Sequence, residues 1–278
     1  MPVTRRRPAW RAAMAAVLAV AALAAVSLAA ACGNNTGPAR GPAKGSAPPG
    51  RGAPHRREPQ RTGASARQPG PLRTSCRAVA HFGDSTSDGL VSSGYLPDRS
   101  QRIDAQYARV GAAEQHFEIE GATSVVETIE GEPNAYDLGQ QLDQRGYRGC
   151  WVLALGTNDT ADLAAGSNVG LAERIRRMMS LAGGQPVLWV NVKSLVTSGP
   201  YAEANMQAWN AALLRACASY PDMRVYDWAS AAEPRWFIPD GIHYTSAGYA
   251  ERARLIASAL AEAFPAGRAR SPGCVVPS

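Results

Sequence analysis

The stretch Val79-Ala80-His81-Phe82-Gly83-Asp84-Ser85-Thr86-Ser87-Asp88-Gly89-Leu90 decides how the rest of the chain is read. Residues 78–82 are a short apolar run of the kind that forms a buried strand, and the run stops at Gly83. Asp84, Ser85, Thr86 and Ser87 then offer side chains suited to a turn and a helix N-terminus. A serine just past the end of a parallel strand carries its hydroxyl to the edge where open α/β sheets bind ligands, with unpaired backbone N–H groups nearby. Ser85 is therefore a candidate nucleophile, against the plainer reading that it caps a helix.

Outward from this stretch, short apolar runs alternate with segments of helical period, the pattern of a parallel sheet covered on both faces. Strands are predicted at residues 78–82, 117–120, 151–155, 187–192 and 224–226. Helical stripes follow at Leu171, Ile175, Met178 and Met179, at Met206, Trp209, Leu213 and Cys217, and at Tyr249, Ala253, Ile256, Leu260 and Phe264. Stripes of this spacing are read as core. Residues 76–278 are long enough for one domain with a substantial core, and no internal repeat divides them.

The four histidines separate by position. His55 precedes the domain, His81 lies inside the first strand, and His116 begins the second and is expected at the surface. His243, in Pro239-Asp240-Gly241-Ile242-His243-Tyr244-Thr245, follows the last predicted strand and so falls at the same sheet edge as Ser85. A carboxylate three residues ahead, across a glycine, can turn back to accept a hydrogen bond from one ring nitrogen. The other nitrogen is then free to act as a general base. The third strand ends in Leu155-Gly156-Thr157-Asn158-Asp159, where the Asn158 amide could donate to an oxyanion or cap the next helix. Gly121 closes the second strand, where a glycine either lets a substrate approach a backbone N–H or supplies only a turn.

Gly83-Asp84-Ser85, Gly121, Gly156-Thr157-Asn158-Asp159 and Asp240-Gly241-Ile242-His243 occur in the order and contexts of the SGNH hydrolases, also called GDSL esterases, which the chain resembles from about residue 78 to 264. The resemblance implies a three-layer α/β/α sandwich of flavodoxin-like kind, here with a parallel five-stranded sheet. It implies Ser85 as nucleophile, His243 as base and Asp240 as its orienting partner. The oxyanion hole would come from the Ser85 and Gly121 backbone N–H groups and the Asn158 side chain, with Gly111 as a rival to Gly121. It implies no metal and no organic cofactor. The activity implied is hydrolysis of carboxylic esters through an acyl-enzyme, on an acylated lipid or glycan. The alternatives are O-acyl transfer to cell-envelope glycans by the same triad, and a non-catalytic envelope-binding module. Thr86-Ser87-Asp88-Gly89 departs from the family, many of whose members carry Leu or Ile after the serine.

The segment ahead of the domain bears on where the protein works. Residues 1–32 read as an export signal, with Arg5, Arg6, Arg7 and Arg11 before an Ala/Val/Leu-rich run. Residues 28–33, Leu-Ala-Ala-Ala-Cys-Gly, resemble a bacterial lipoprotein cleavage box that would lipidate Cys32, although Ala29 stands where such boxes usually carry Leu. A plain secretory signal and an uncleaved membrane helix are the other readings of this run. Residues 33–75, rich in Gly, Pro, Ala, Arg and Ser, are expected to be a disordered tether. The first 75 residues hold twelve of the 29 Lys and Arg but one acid, Glu58, which leaves 17 basic against 22 acidic residues in the domain. The net charge of +6 therefore belongs to leader and tether and does not argue for nucleic-acid binding. Membrane contact is expected only through a lipid anchor.

An export signal favours disulfides among the remaining cysteines. Cys76 lies nine residues before Ser85 and Cys150 eight before Asn158, so adjacent parallel strands would bring them together at the far end of the sheet. Cys217, late in a helix, and Cys274, after the last helix, belong at that end too. Cys76–Cys150 and Cys217–Cys274 are the expected bridges, with Cys217 as a free core thiol the alternative.

Overall fold

Strand β1 (Ala78–Gly83) is buried along its whole length, as befits a central parallel strand, and its one polar side chain, His81, is buried with Nδ1 2.8 Å from the Tyr107 hydroxyl. The computed structural model of the chain describes residues 72–129, 131–267 and 273–276. The export signal, Cys32 and the tether as far as residue 71 lie outside the described residues. Around β1 the sheet is built from β2 (Glu114–Ile119), β3 (Cys150–Ala154), β4 (Val187–Val190), β5 (Met223–Tyr226) and β6 (Val275–Val276). Their order is β2-β1-β3-β4-β5-β6, and every neighbouring pair is parallel.

The sheet thus has six strands where five are expected from the sequence. The extra strand, β6, is two residues long and pairs Val275 with Val225 and Val276 with Tyr226. A strand this short shows no periodicity, so only its ladder reveals it. Strand β2 begins three residues before residue 117, because Glu114, Gln115 and His116 sit on an edge strand that is only half-buried and need not be apolar. Strand β4 ends at Val190 rather than 192. The Asn191 N–H still donates to the Tyr226 carbonyl at 3.1 Å, and the chain leaves the ladder at Val192, whose N–H donates to Asn210 Oδ1 at 3.0 Å.

Among the described residues eight α-helices connect and cover these strands: α1 (Ser85–Val91), α2 (Ile103–Val110), α3 (Ala135–Gln144), α4 (Thr157–Ala164), α5 (Leu171–Ala182), α6 (Glu203–Cys217), α7 (Trp228–Ala231) and α8 (Ser246–Ala263). Successive strand residues face opposite sides, and two cores result. Val79, Val152 and Leu188 pack with Leu90 of α1, Tyr107 of α2 and Ile256 of α8. Phe82, Trp151 and Trp189 pack with Leu142 of α3, Met178 of α5 and Trp209 of α6. The Phe82 and Trp151 rings stack at 5.2 Å. Each large apolar side chain buried this way contributes roughly 1.5–3 kcal/mol, and together they make the α/β/α sandwich.

Cys76 is bonded to Cys150 and Cys217 to Cys274. Both bridges lie at the edge where the strands begin, and the second one immediately precedes β6. The loops they close span 74 and 57 positions, for which chain entropy alone assigns about 4 kcal/mol each. Thr74, on the tether side of the expected boundary, is buried and forms a bridge with Pro265, so the fold engages the chain slightly earlier than residue 76.

Candidate active site

Register places the site. Gly83 of β1 stands opposite Ile119 of β2 and Ala154 of β3, so three strands finish at one level. Ser85, Gly121 and Asn158 each follow their strand within four residues of that level, on the edge opposite the disulfides. Gly111 closes α2 before β2 begins, with φ 99°, and therefore belongs to the other edge.

Asp84, not Ser85, caps α1. Its Oδ1 accepts from the Thr86 N–H at 2.8 Å and the Thr86 hydroxyl at 2.7 Å. The Ser85 hydroxyl is thereby left for another partner, and Ser85 Oγ lies 2.8 Å from His243 Nε2. The other ring nitrogen, Nδ1, lies 2.7 Å from Asp240 Oδ2. Asp240 is held by its own turn, Oδ1 accepting from the N–H groups of Ile242 at 2.8 Å and His243 at 3.0 Å. Gly241 adopts φ 71°, a left-handed conformation that glycine reaches without strain and that folds Asp240 back over His243. Burial would raise the Asp240 carboxyl, but the donors from Ile242 and His243 outweigh it and hold the group below its ordinary value.

The two halves of this arrangement are 158 residues apart and are locked together by helix packing. Gly89 of α1 lies against the Tyr249 ring of α8 so closely that a Cβ would come within 2.4 Å of it. The Tyr249 hydroxyl donates to the Ser85 carbonyl at 3.4 Å. Thr245 caps α8 by accepting from the Gly248 N–H, which fixes where the His243 loop enters the helix.

Asn158 sits in the first turn of α4. Its Nδ2 donates to the Thr123 carbonyl at 3.0 Å, and its Oδ1 accepts from the Tyr201 hydroxyl at 3.3 Å. Gly156, with φ 134°, must be glycine, since a Cβ would clash with the Trp209 indole at 2.3 Å. A Cβ at Gly121 would meet only Asp88 Oδ2, at 3.8 Å, so open space adjoins its backbone. The next residue, Ala122, holds φ 60° in a turn closed by Thr123 N–H to the Glu120 carbonyl. A non-glycine residue in that region stores on the order of 1 kcal/mol of strain.

Two features of the site edge escape sequence reasoning. Asp88, one helical turn after Ser85, faces Gly121, and burial first, then the neighbouring Asp84 and Glu120, push its carboxyl up to about 6 against the opposing pull of His243. The only signal for it is the departure at Thr86-Ser87-Asp88-Gly89. Secondly, Arg174 of α5 is buried and pairs with Asp159 Oδ1 at 3.0 Å and Glu127 Oε1 at 2.6 Å, while Asp159 Oδ1 also accepts from the Val125 N–H at 3.0 Å. This cluster clamps the loop after β2 to the start of α4, the two segments that carry Gly121 and Asn158. Burial lifts the Asp159 carboxyl to about 6 even beside the guanidinium. Residues 193–197, 203 and 204 line a hollow of about 430 Å³, and the Leu195 N–H donates to the Gly241 carbonyl at 2.7 Å. Trp228, Trp236 and Phe237, near His243 in sequence, are buried, Trp228 stacking on Trp236 at 5.7 Å and donating to the Tyr244 hydroxyl at 2.8 Å. Among the described residues no group of three His, Cys, Asp or Glu side chains is placed to hold a metal ion.

Asp88 gives a stability prediction. A carboxyl raised to about 6 on folding makes the native state the better proton binder between about pH 4 and 6, so stability falls as pH rises through that window. Asp88→Asn should then gain about 1–2 kcal/mol at pH 8, a figure reduced for the partial exposure of the group, and nothing at pH 3. Urea midpoints at the two pH values check this, and equal gains at both would refute it.

The sequence model of the family described as GDSL-like lipase/acylhydrolase matches residues 81–251. No curated protein matches the chain in sequence. Among solved structures, a proposed arylesterase from Agrobacterium tumefaciens is similar at 19% identity and TM-score 0.51, over 66% of this chain and 97% of its own. A carbohydrate acetylesterase family member from Sinorhizobium meliloti is similar at 18% identity and TM-score 0.51, over 65% of this chain and 95% of its own. At these identities the likeness is one of fold.

Proposed function

Because the chain belongs to the GDSL-like lipase/acylhydrolase family, we propose that it is a serine hydrolase of carboxylic esters in which Ser85, His243 and Asp240 form the catalytic triad. The observation that carries this is the unbroken relay from Asp240 Oδ2 through His243 to Ser85 Oγ, with bonds of 2.7 and 2.8 Å. Asp240 holds the Nδ1–H tautomer, so Nε2 accepts the Ser85 proton as Oγ bonds to the acyl carbon and the carbonyl electron pair moves onto oxygen. The oxyanion is met by the Ser85 and Gly121 backbone N–H groups and by Asn158. When it collapses, the carbon–alkoxy bond breaks and the alcohol leaves with the proton from Nε2. Water then gives a proton to His243 and attacks the acyl-enzyme, and the same steps in reverse free Ser85 and a carboxylic acid.

The reading is tested with a fluorophosphonate probe and an ester panel. Wild type should be labelled at Ser85 and should hydrolyse acyl esters. The panel, of increasing acyl length run beside acetylated glycans with a free glycan as acceptor, reports chain preference and whether the acyl group passes to water or to sugar. A folded protein that neither labels nor turns over any ester would be a binding module instead. Exported localisation belongs to the same proposal, supported by the two disulfides and the signal-like leader. Release of a Cys32→Ser variant from the membrane fraction tests the anchor.

A further inference from the structure

We propose that Tyr201 is a positioning residue that aims the Asn158 amide at the reacting carbonyl. The inference rests on Asn158 serving as the oxyanion donor proposed above. A primary amide has one acceptor oxygen and two N–H donors in one plane. In Asn158, Nδ2 gives one of its hydrogens to the Thr123 carbonyl at 3.0 Å and Oδ1 takes the Tyr201 hydroxyl at 3.3 Å. With two of its three polar directions held, both the plane and the sense of the amide are set, and the second N–H is left for the substrate oxygen. A flipped amide would turn its carbonyl oxygen toward the Thr123 carbonyl and forfeit the Tyr201 donor.

Tyr201 suits this work chemically. Burial, followed by the negative charges of Asp162 and Asp84, raises its phenol above the ordinary value, so it stays a donor at any working pH. Its backbone is pinned by the Ser194 hydroxyl, which donates to the Tyr201 carbonyl at 2.7 Å. The same loop reaches the other side of the site, where the Leu195 N–H meets the carbonyl of Gly241, between Asp240 and His243. One segment therefore braces both the oxyanion donor and the loop of the base.

Removing an oxyanion donor outright costs about 10²–10³ in kcat, and loosening one costs less. Tyr201→Phe should lower kcat about 10-fold with KM within about twofold, because the lost interaction acts only as charge develops. Steady-state kinetics are measured for Tyr201→Phe, Asn158→Ala and the double variant, with melting temperatures to confirm folding. The double variant should match Asn158→Ala, since without the amide there is nothing for Tyr201 to aim. Wild-type kcat in Tyr201→Phe, beside an impaired Asn158→Ala, overturns the role of Tyr201 alone. A Tyr201→Phe loss that persists in the Asn158→Ala background also overturns it, for Tyr201 would then act by another route. Wild-type kcat in Asn158→Ala, with Ser85→Ala inactive, removes both Asn158 from the oxyanion hole and Tyr201 from its support.

Discussion

Ser85→Ala is expected to melt with the wild type and to lose on the order of 10⁶ in kcat, the scale seen when a serine hydrolase loses its nucleophile. Folding should survive because the helix cap is supplied by Asp84, whose carboxylate holds both donors of Thr86. The Ser85 hydroxyl is bonded to His243 instead, and at a half-buried position its loss leaves no large cavity. Chemistry should fail because no other group can form the acyl-enzyme. The residual rate would come from water attacking a carbonyl held by the oxyanion donors, a route worth only about 10³–10⁴ over solution. Initial rates on a short acyl ester, with active-site titration of the wild type, measure the ratio. Turnover within a hundredfold of wild type would take Ser85 out of the mechanism.

Much of this site was legible because it is written in short runs at strand ends. Gly83-Asp84-Ser85, Gly156-Thr157-Asn158 and Asp240-Gly241-Ile242-His243 each combine a chain-turning glycine with a polar group, and the parallel register brings the first two to a common level. Asp240 and His243 needed only local geometry to find each other. The central strands were legible for a related reason, since β1 and β3 are buried on both faces and read as apolar runs, broken in β1 only by His81. What the sequence hides are contacts made between distant residues of unremarkable type. Arg174 lies in the helix whose stripe of Leu171, Ile175, Met178 and Met179 is read as core but is not among those residues, and it is buried with its charge met by Glu127, 47 residues away. Tyr201 finds Asn158 across 43 residues. The edge strand β2 and the two-residue β6 carry too little apolar pattern to be bounded or seen.

His243→Ala should be nearly as damaging as Ser85→Ala, and the double variant should be no worse than either, because nucleophile and base act as one unit. Without the imidazole the Ser85 hydroxyl keeps its proton and attacks as a poor nucleophile, and the leaving alcohol has no acid to protonate it. Asp240→Asn separates orientation from basicity. The Asn Oδ1 can still accept from the Ile242 and His243 N–H groups, which meet Oδ1 of Asp240 at 2.8 and 3.0 Å, so the turn should stand. Its amide N–H would then face Nδ1, drive the imidazole proton to Nε2 and present a donor to Ser85 where an acceptor is required. That inversion costs about 10⁴ in a buried triad. Here the Asp240 and His243 side chains are 40% and 35% exposed, so water can compete to restore the productive tautomer, and a loss of about 10²–10³ is expected. If Asp240→Asn matched the wild type while His243→Ala was inactive, Asp240 would be a turn residue only. If His243→Ala kept more than about a tenth of wild-type kcat, the relay through the imidazole would not be the route by which Ser85 loses its proton.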